Sequence, residues 1–347
     1  MFAPYQQLQQ LADALRPALG LAGGGEVDAA MARLAEHRHR VAPLLHRAVV
    51  AGGSLAGDEA AGLLEESARA NARRTLRQQG AAQRVSRLLD AEGVAHAFVK
   101  GFDLGPALYG SAALRQAKDV DLLVDPARLD TAIALLADAG FVGRGGSPLE
   151  LEWAQKMLRF HWEVAVYDPQ FGVQVEVHAR LLADPPPGWD DTRFLHGSLD
   201  LSRPDYLLYL VIHGAGSRWH RLKWLADLAV IVQRTAPDVV SQTVALARRY
   251  DCLHTLSASL RACDVLWGEG LAAKWHAAVG PSADEALVAA HLAAFGKAIH
   301  SDESNPQRES LARRLEIVRA VPLFGTRRPS RMAELGKRVG FWYTHRF

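Results

Sequence analysis

The sequence predicts an α+β fold: a small mixed β-sheet flanked by N-terminal and C-terminal helical regions. Three observations predict it. Apolar residues recur at helical spacing over residues 1–93 and again beyond Pro204. Between them, from Val94 to about Arg180, short strand-like runs alternate with helix-like ones. A proline run, Pro185–Pro187, followed by Gly188, closes that middle segment. The expected organisation is three regions: a helical 1–93, an α/β core at 94–184, and a helical 185–347 with a basic end.

In the first region, Leu8, Leu11 and Leu15 fall on one helical face, as do Met31, Leu34, Val41, Leu44 and Leu45 in the next segment. A loop at Gly23–Gly25 separates them. A second, at Gly52, Gly53 and Gly57, leads into a long polar-rich helix ending near Leu89. Arg73, Arg74, Arg77 and Arg84 on that helix read as a solvated face. In the middle region Ala95–Val99 is a candidate strand, Leu104–Tyr109 a short helix and Val120–Val124 a second strand. Pro126–Ala139 reads as a helix with proline in its first turn. Trp162–Tyr167 and Val173–Val177 read as a hairpin, with Asp168, Pro169 and Gly172 supplying turn chemistry. After Pro204 come one or two apolar helices over 205–234, then more to about Ala294.

Composition bounds the function classes. With 49% hydrophobic and 22% charged residues in 347, the chain has ordinary globular composition, which excludes a largely disordered protein. A net charge of +2 excludes a whole-chain basic field. The charge is uneven, however: residues 308–347 hold ten Lys/Arg against three Asp/Glu. Such an end can meet nucleic acid or an anionic surface, although it is more often a solvated or internally paired face. Two cysteines, Cys252 and Cys263, with no CxxC or Cys/His cluster suit a reducing cytoplasm. The N-terminus lacks a basic and apolar leader, and no apolar run reaches about 18 residues, so neither a signal peptide nor a membrane span is expected.

The chemistry concentrates in FVKGFDLGPALYGSAALRQAKDVDLLVD. Asp119 and Asp121 are two apart, so on a strand both leave one face while Val120, Leu122 and Val124 leave the other. Two like charges side by side raise one pKa unless a cation joins them. A hard divalent cation resolves the conflict, because it takes carboxylate and phosphate oxygens. In VQVEVHAR, Glu176, His178 and Arg180 oppose the core-facing Val173, Val175 and Val177. If that strand neighbours Asp119–Val124, three acids converge. His161 and Glu163 are a weaker polar pair on the preceding strand. At the end of the first strand, Lys100 offers a point charge, Gly101 lets backbone approach a ligand, and Asp103 is placed to cap the next helix. That helix would present its N-terminus to phosphate. By strand parity His96, Phe98 and Lys100 share a face. Arg115, just before the acidic strand, could reach phosphate or neutralise Asp119. The spacing Lys223–Asp227 is that of a helix-surface pair.

These residues resemble the core of the DNA polymerase β-like nucleotidyltransferase superfamily, and more narrowly an uncharacterised bacterial nucleotidyltransferase family. The resemblance is carried by Lys100–Gly101, Leu108–Tyr109, Arg115, Asp119–Asp121, and Glu176 followed by His178. It extends to His213, Trp219, Arg221–Leu222 and Asp227–Leu228, and spans about residues 90 to 235. It implies a nucleotidyltransferase-type sheet and a cytoplasmic enzyme that moves a nucleoside monophosphate from an NTP such as ATP to an acceptor hydroxyl. Asp119, Asp121 and Glu176 would hold Mg2+ or Mn2+ and carry the catalysis. Lys100, Gly101, Arg115 and His178 would bind the nucleotide. The acceptor could be a small molecule, a peptide, a protein or an RNA. The turn departs from the superfamily's usual Gly-Ser or Gly-Gly: it reads Lys100–Gly101–Phe102, with seventeen residues between Gly101 and Asp119. Lys100 would then meet phosphate in place of the serine. The alternative is a non-catalytic nucleotide-sensing or partner-binding protein on the same fold.

Overall fold

A computed structural model describes residues 4–182, 185–196 and 199–300. The basic segment at 308–347 lies outside the described residues. The N-terminal segment folds into α1 (Gln6–Leu15), α2 (Ala29–Arg33), α3 (Ala42–Val50) and the long α4 (Asp58–Ala91). Leu8, Leu11, Leu15, Val41, Leu44 and Leu45 are buried, as helical periodicity requires. Asp28 caps α2 by accepting the Met31 N–H at 2.7 Å. The all-helical expectation for this region is corrected at the two glycine loops. Each runs into a two-residue strand, β1 (Glu26–Val27) and β2 (Ser54–Leu55), and the two pair in parallel. A pairing between segments this far apart leaves no local periodicity to read.

The middle of the chain forms β3 (His96–Phe98), α5 (Leu104–Tyr109), β4 (Val120–Val124), α6 (Leu129–Asp138), α7 (Leu151–His161), β5 (Glu163–Asp168) and β6 (Val173–His178). The strand order is β3-β4-β6-β5. Strands β4 and β6 are parallel and the other pairs antiparallel, so the sheet is mixed. Its apolar face carries Val120, Leu122, Val124, Val164, Val166, Val173, Val175 and Val177, packed with residues of α4, α6 and α7 in one core. Strand β5 alternates strictly, with Glu163, Ala165 and Tyr167 exposed. Asp168 shapes the β5–β6 turn by accepting the Gln170 N–H at 2.9 Å, and Gly172 takes φ +66 there.

Three readings change in this region. Asp103 makes no side-chain cap to α5. His161 ends α7 instead of sitting on a strand, and Trp162 caps that helix in a left-handed conformation, φ 66. Arg84 is not solvated: its Nη1 lies 2.6 Å from Asp168, which is fully buried.

The chain divides into two compact units, one with described residues 4–65, 185–189 and 200–300, the other with 66–182, 190–196 and 199. The first unit is completed by α8 (Pro204–Gly216), α9 (Leu222–Arg234), α10 (Pro237–Arg249), α11 (Leu253–Trp267), α12 (Ala273–Val279) and α13 (Glu285–His300). Left-handed residues Arg218 (φ 54) and Trp219 (φ 48) break the chain between α8 and α9. Trp219 is buried and donates to Ser259 Oγ at 3.1 Å. Lys223 and Asp227 are both buried, which corrects their reading as a surface pair. Burial, with Arg38 and Arg221 nearby, drives His39 down to about 3, so it is neutral at physiological pH. Its Nδ1 accepts the Leu222 N–H at 3.3 Å, and Arg221 donates to the Arg38 carbonyl at 3.2 Å. The family-like residues of this segment therefore tie the C-terminal helices to the N-terminal ones. No described helix is long and apolar enough to cross a membrane.

Candidate active site

The parallel pairing of β4 and β6 sets Asp121 directly beside Glu176 and Leu123 beside His178. Because Val120, Leu122, Val175 and Val177 point into the core, Asp121 and Glu176 leave the opposite face. Strand β5 continues that face, with Glu163 opposite His178 and Ala165 opposite Glu176. Ligand atoms of Asp121, Glu176 and His178 lie within 4.8 Å of one another.

His178 is the hub. Its Nε2 lies 3.3 Å from Asp121 Oδ1 and 4.0 Å from Glu176 Oε2, and its Nδ1 is 3.5 Å from Glu163 Oε2. Its side chain is only 5% exposed. Gln174 holds Glu176 by donating to Oε1 at 2.9 Å. Burial pushes the Glu176 carboxyl up to about 7. The charges of Asp119 and Asp121 add to this, and His178 opposes it. A carboxylate that keeps its proton near neutrality beside two others marks a place short of positive charge. Two carboxylates and an imidazole are donors that can hold a divalent metal ion.

A profile of a family described as uncharacterised nucleotidyltransferase matches residues 28–268, more than half of the chain. The chain belongs to this family. No curated protein and no solved structure matches it significantly. The family's description points to nucleotidyl transfer as its general chemistry and to a nucleotide as its substrate class.

In this family member the other sequence-derived candidates fall as follows. Asp119 lies just before β4, half-buried, and its carbonyl accepts from Gln78 Nε2 at 3.2 Å. It acts on Glu176 through its charge, while His178 takes the third place in the close donor group. Lys100 Nζ is 3.1 Å from Asp121 Oδ1. Strand parity does not put it there. Phe98 faces the core, β3 ends at Phe98, and a bend at Lys100 turns its side chain toward Asp121. Gly101 has φ +78, and a Cβ there would sit 3.4 Å from the Asp119 carbonyl and 3.6 Å from Asp121 Oδ2. The conformation calls for glycine, while the space would accept a Cβ at ordinary contact distance. Arg115 is buried and donates to the Gly101 carbonyl at 2.7 Å, so it fixes the turn.

Gln78 went unread in the sequence. It reaches from α4 to the carbonyls of Ala117 and Asp119, holding the entry to the acidic strand. Its one signal is spacing: Ser67, Asn71, Thr75 and Gln78 recur on one face of α4, and all four are buried.

Proposed function

We propose that this protein transfers a nucleoside monophosphate from an NTP to an acceptor hydroxyl, with release of pyrophosphate. The observation that carries the reading is the Asp121–Glu176 pair on neighbouring parallel strands, with Glu176 raised to about 7 by burial and by its acidic neighbours. Asp121, Glu176 and His178 would hold Mg2+ or Mn2+, with Asp119 at the rim. When bound, the cation supplies charge stabilisation at the phosphate oxygens. Lys100 and the Gly101 backbone meet the β- and γ-phosphates. With only six residues, α5 has a weak terminal dipole, so the charge comes mainly from Lys100. Arg115 keeps the turn in shape for that contact. Glu176, beside the cation, helps remove the proton of the acceptor hydroxyl. The acceptor oxygen then bonds to the α-phosphorus as the bond to pyrophosphate breaks. Buried, unpaired thiols at Cys252 and Cys263 favour a cytoplasmic setting.

One observation favours a second reading, a nucleotide-sensing or partner-binding protein on the same fold. Lys100 at 3.1 Å already neutralises Asp121. A nucleotide binding panel with and without Mg2+, repeated on Asp121→Asn, tests both. Metal-dependent binding that the substitution removes supports the transferase. Tight binding indifferent to metal and to the substitution supports the sensor.

A further inference from the structure

We infer that the site selects a first-row transition ion over Mg2+, with His178 as the donor that discriminates and Glu163 as the residue that positions His178. That a cation sits here rests on the proposed function; the selectivity rests on the donor atoms. The resemblance implies three carboxylates as the metal ligands, Asp119, Asp121 and Glu176. The close donor group is different: Asp121, Glu176 and the His178 imidazole. Mg2+ is a hard ion that takes oxygen ligands and gives up its waters reluctantly. A nitrogen donor adds little for it. For the transition ions a nitrogen donor adds more, and affinity climbs from Mn2+ through Co2+.

Each donor is aimed by a further residue. Gln174 donates to Glu176 Oε1 at 2.9 Å, which leaves Oε2 toward His178. Lys100 Nζ stands 3.1 Å from Asp121 Oδ1. The His178 ring spans the group: Nε2 faces the two carboxylates at 3.3 and 4.0 Å, and Nδ1 faces Glu163 Oε2 at 3.5 Å. An ion with ligands at about 2.1 Å holds them roughly 3–4.2 Å apart, and both Nε2 distances fall in that range. A carboxylate oxygen at Nδ1 only accepts. It therefore keeps the ring hydrogen on Nδ1 and presents the Nε2 lone pair to the ion, the outer contact that orients metal-binding histidines.

The backbone fixes this relay. Glu163 is the first residue of β5 and lies directly opposite His178 on β6. One step further, the Ala179 N–H donates to the Trp162 carbonyl at 2.7 Å and holds that end of the strand pair. The His178 side chain is 5% exposed and that of Glu163 is 59% exposed. The ring is thus enclosed with the donors, while its partner stands at the rim. The opposing possibility is that His178 is a protonated counter-charge to the surrounding carboxylates. A counter-charge repels every divalent cation alike, so it alters affinity without altering the preference among ions.

The test uses the full chain without nucleotide, titrated with Mg2+, Mn2+ or Co2+ alone and read by calorimetry. Affinity should rise from Mg2+ to Mn2+ to Co2+. Pulsed electron paramagnetic resonance of the Mn2+ complex should show a directly bound nitrogen, a readout that needs no variant. His178→Gln sets an amide oxygen in place of that nitrogen. It should abolish the nitrogen coupling and lower the Co2+ to Mg2+ affinity ratio by at least about tenfold, the smallest loss usual for even an outer partner of a ligating histidine. Glu163→Ala should lower the same ratio roughly tenfold. Glu163→Gln keeps an acceptor oxygen for Nδ1 and should recover part of it. Glu163 is mostly exposed, so its removal leaves the fold intact, and thermal melting checks all variants. The inference is overturned if no ion binds, if bound Mn2+ shows no nitrogen, or if His178→Gln raises all three affinities together. A Glu163→Ala protein with the wild-type ratio overturns the role given to Glu163. Because no nucleotide is present, failure of the transferase reading shows separately, in the nucleotide panel.

Discussion

Glu176→Gln should stabilise the metal-free protein near pH 8 and leave it unchanged near pH 4. Burial first, then Asp119 and Asp121, hold the Glu176 pKa at about 7 instead of 4.5. The folded state therefore binds this proton more tightly than the unfolded chain does, and ionisation costs stability. The cost is absent below 4.5, grows as pH rises from 4.5 to about 7, and is complete above that. The difference between 4.5 and about 7, at about 1.4 kcal/mol per pH unit, is roughly 3 kcal/mol. The side chain is 28% exposed, and solvent screening lowers this toward about 2 kcal/mol. Glutamine keeps the shape and the acceptor oxygen that Gln174 uses. Urea unfolding in EDTA across this pH range measures the effect. The expected gain is about 2 kcal/mol near pH 8, shrinking to nothing in acid. A gain independent of pH, or a loss near pH 8, would refute the electrostatic reasoning.

Lys100→Ala should weaken triphosphate binding by about 1–3 kcal/mol and, because it takes the ion-pair partner from buried Asp121, also lower the melting temperature. Unchanged affinity with a lower melting temperature would make Lys100 a structural counter-charge to Asp121. Arg84→Ala leaves Asp168 buried and unpaired, and should cost about 3 kcal/mol or more in denaturant unfolding; a loss under about 1 kcal/mol contradicts the pairing. Gly214→Ala places a Cβ 2.3 Å from the Trp219 ring and should lower the melting temperature, with a red shift of tryptophan fluorescence as Trp219 is displaced.

Where function is local, the sequence was legible. Strand β4 and helix α5 have the bounds that alternation and turn residues indicate, Val120–Val124 and Leu104–Tyr109. The β5–β6 hairpin is legible because Asp168 and Gly172 supply the turn. Strand parity also put Asp121 and Glu176 on polar faces; that the strands are neighbours is a tertiary fact the register supplies. What stayed hidden was long-range or broke periodicity. Helix α7 was missed because Leu151, Trp153 and Phe160 are apolar yet exposed, which blurs its buried stripe of Ala154 and Leu158. Lys100 turns on a bend that parity does not represent. Arg84 and Gln78 lie on a polar-rich helix, α4, and only tertiary packing gives them Asp168 and the Asp119 carbonyl. His178 joins the donor group because β5 brings Glu163 to its other nitrogen.

Pyrophosphate release tests the central claim most directly. The purified protein would be incubated with each of the four NTPs, with Mg2+ or Mn2+, and with an acceptor pool of single-stranded RNA, peptides and small alcohols. Pyrophosphate should appear only with cation and nucleotide together, with α-phosphate label transferred to one acceptor. Asp121→Asn and Glu176→Gln should each lower the rate by at least about a hundredfold, the scale on which a proton-transfer or charge-stabilising group contributes. Pyrophosphate formation that persists in Asp121→Asn, or none with any nucleotide and cation while nucleotide binding stays tight, would contradict the transferase.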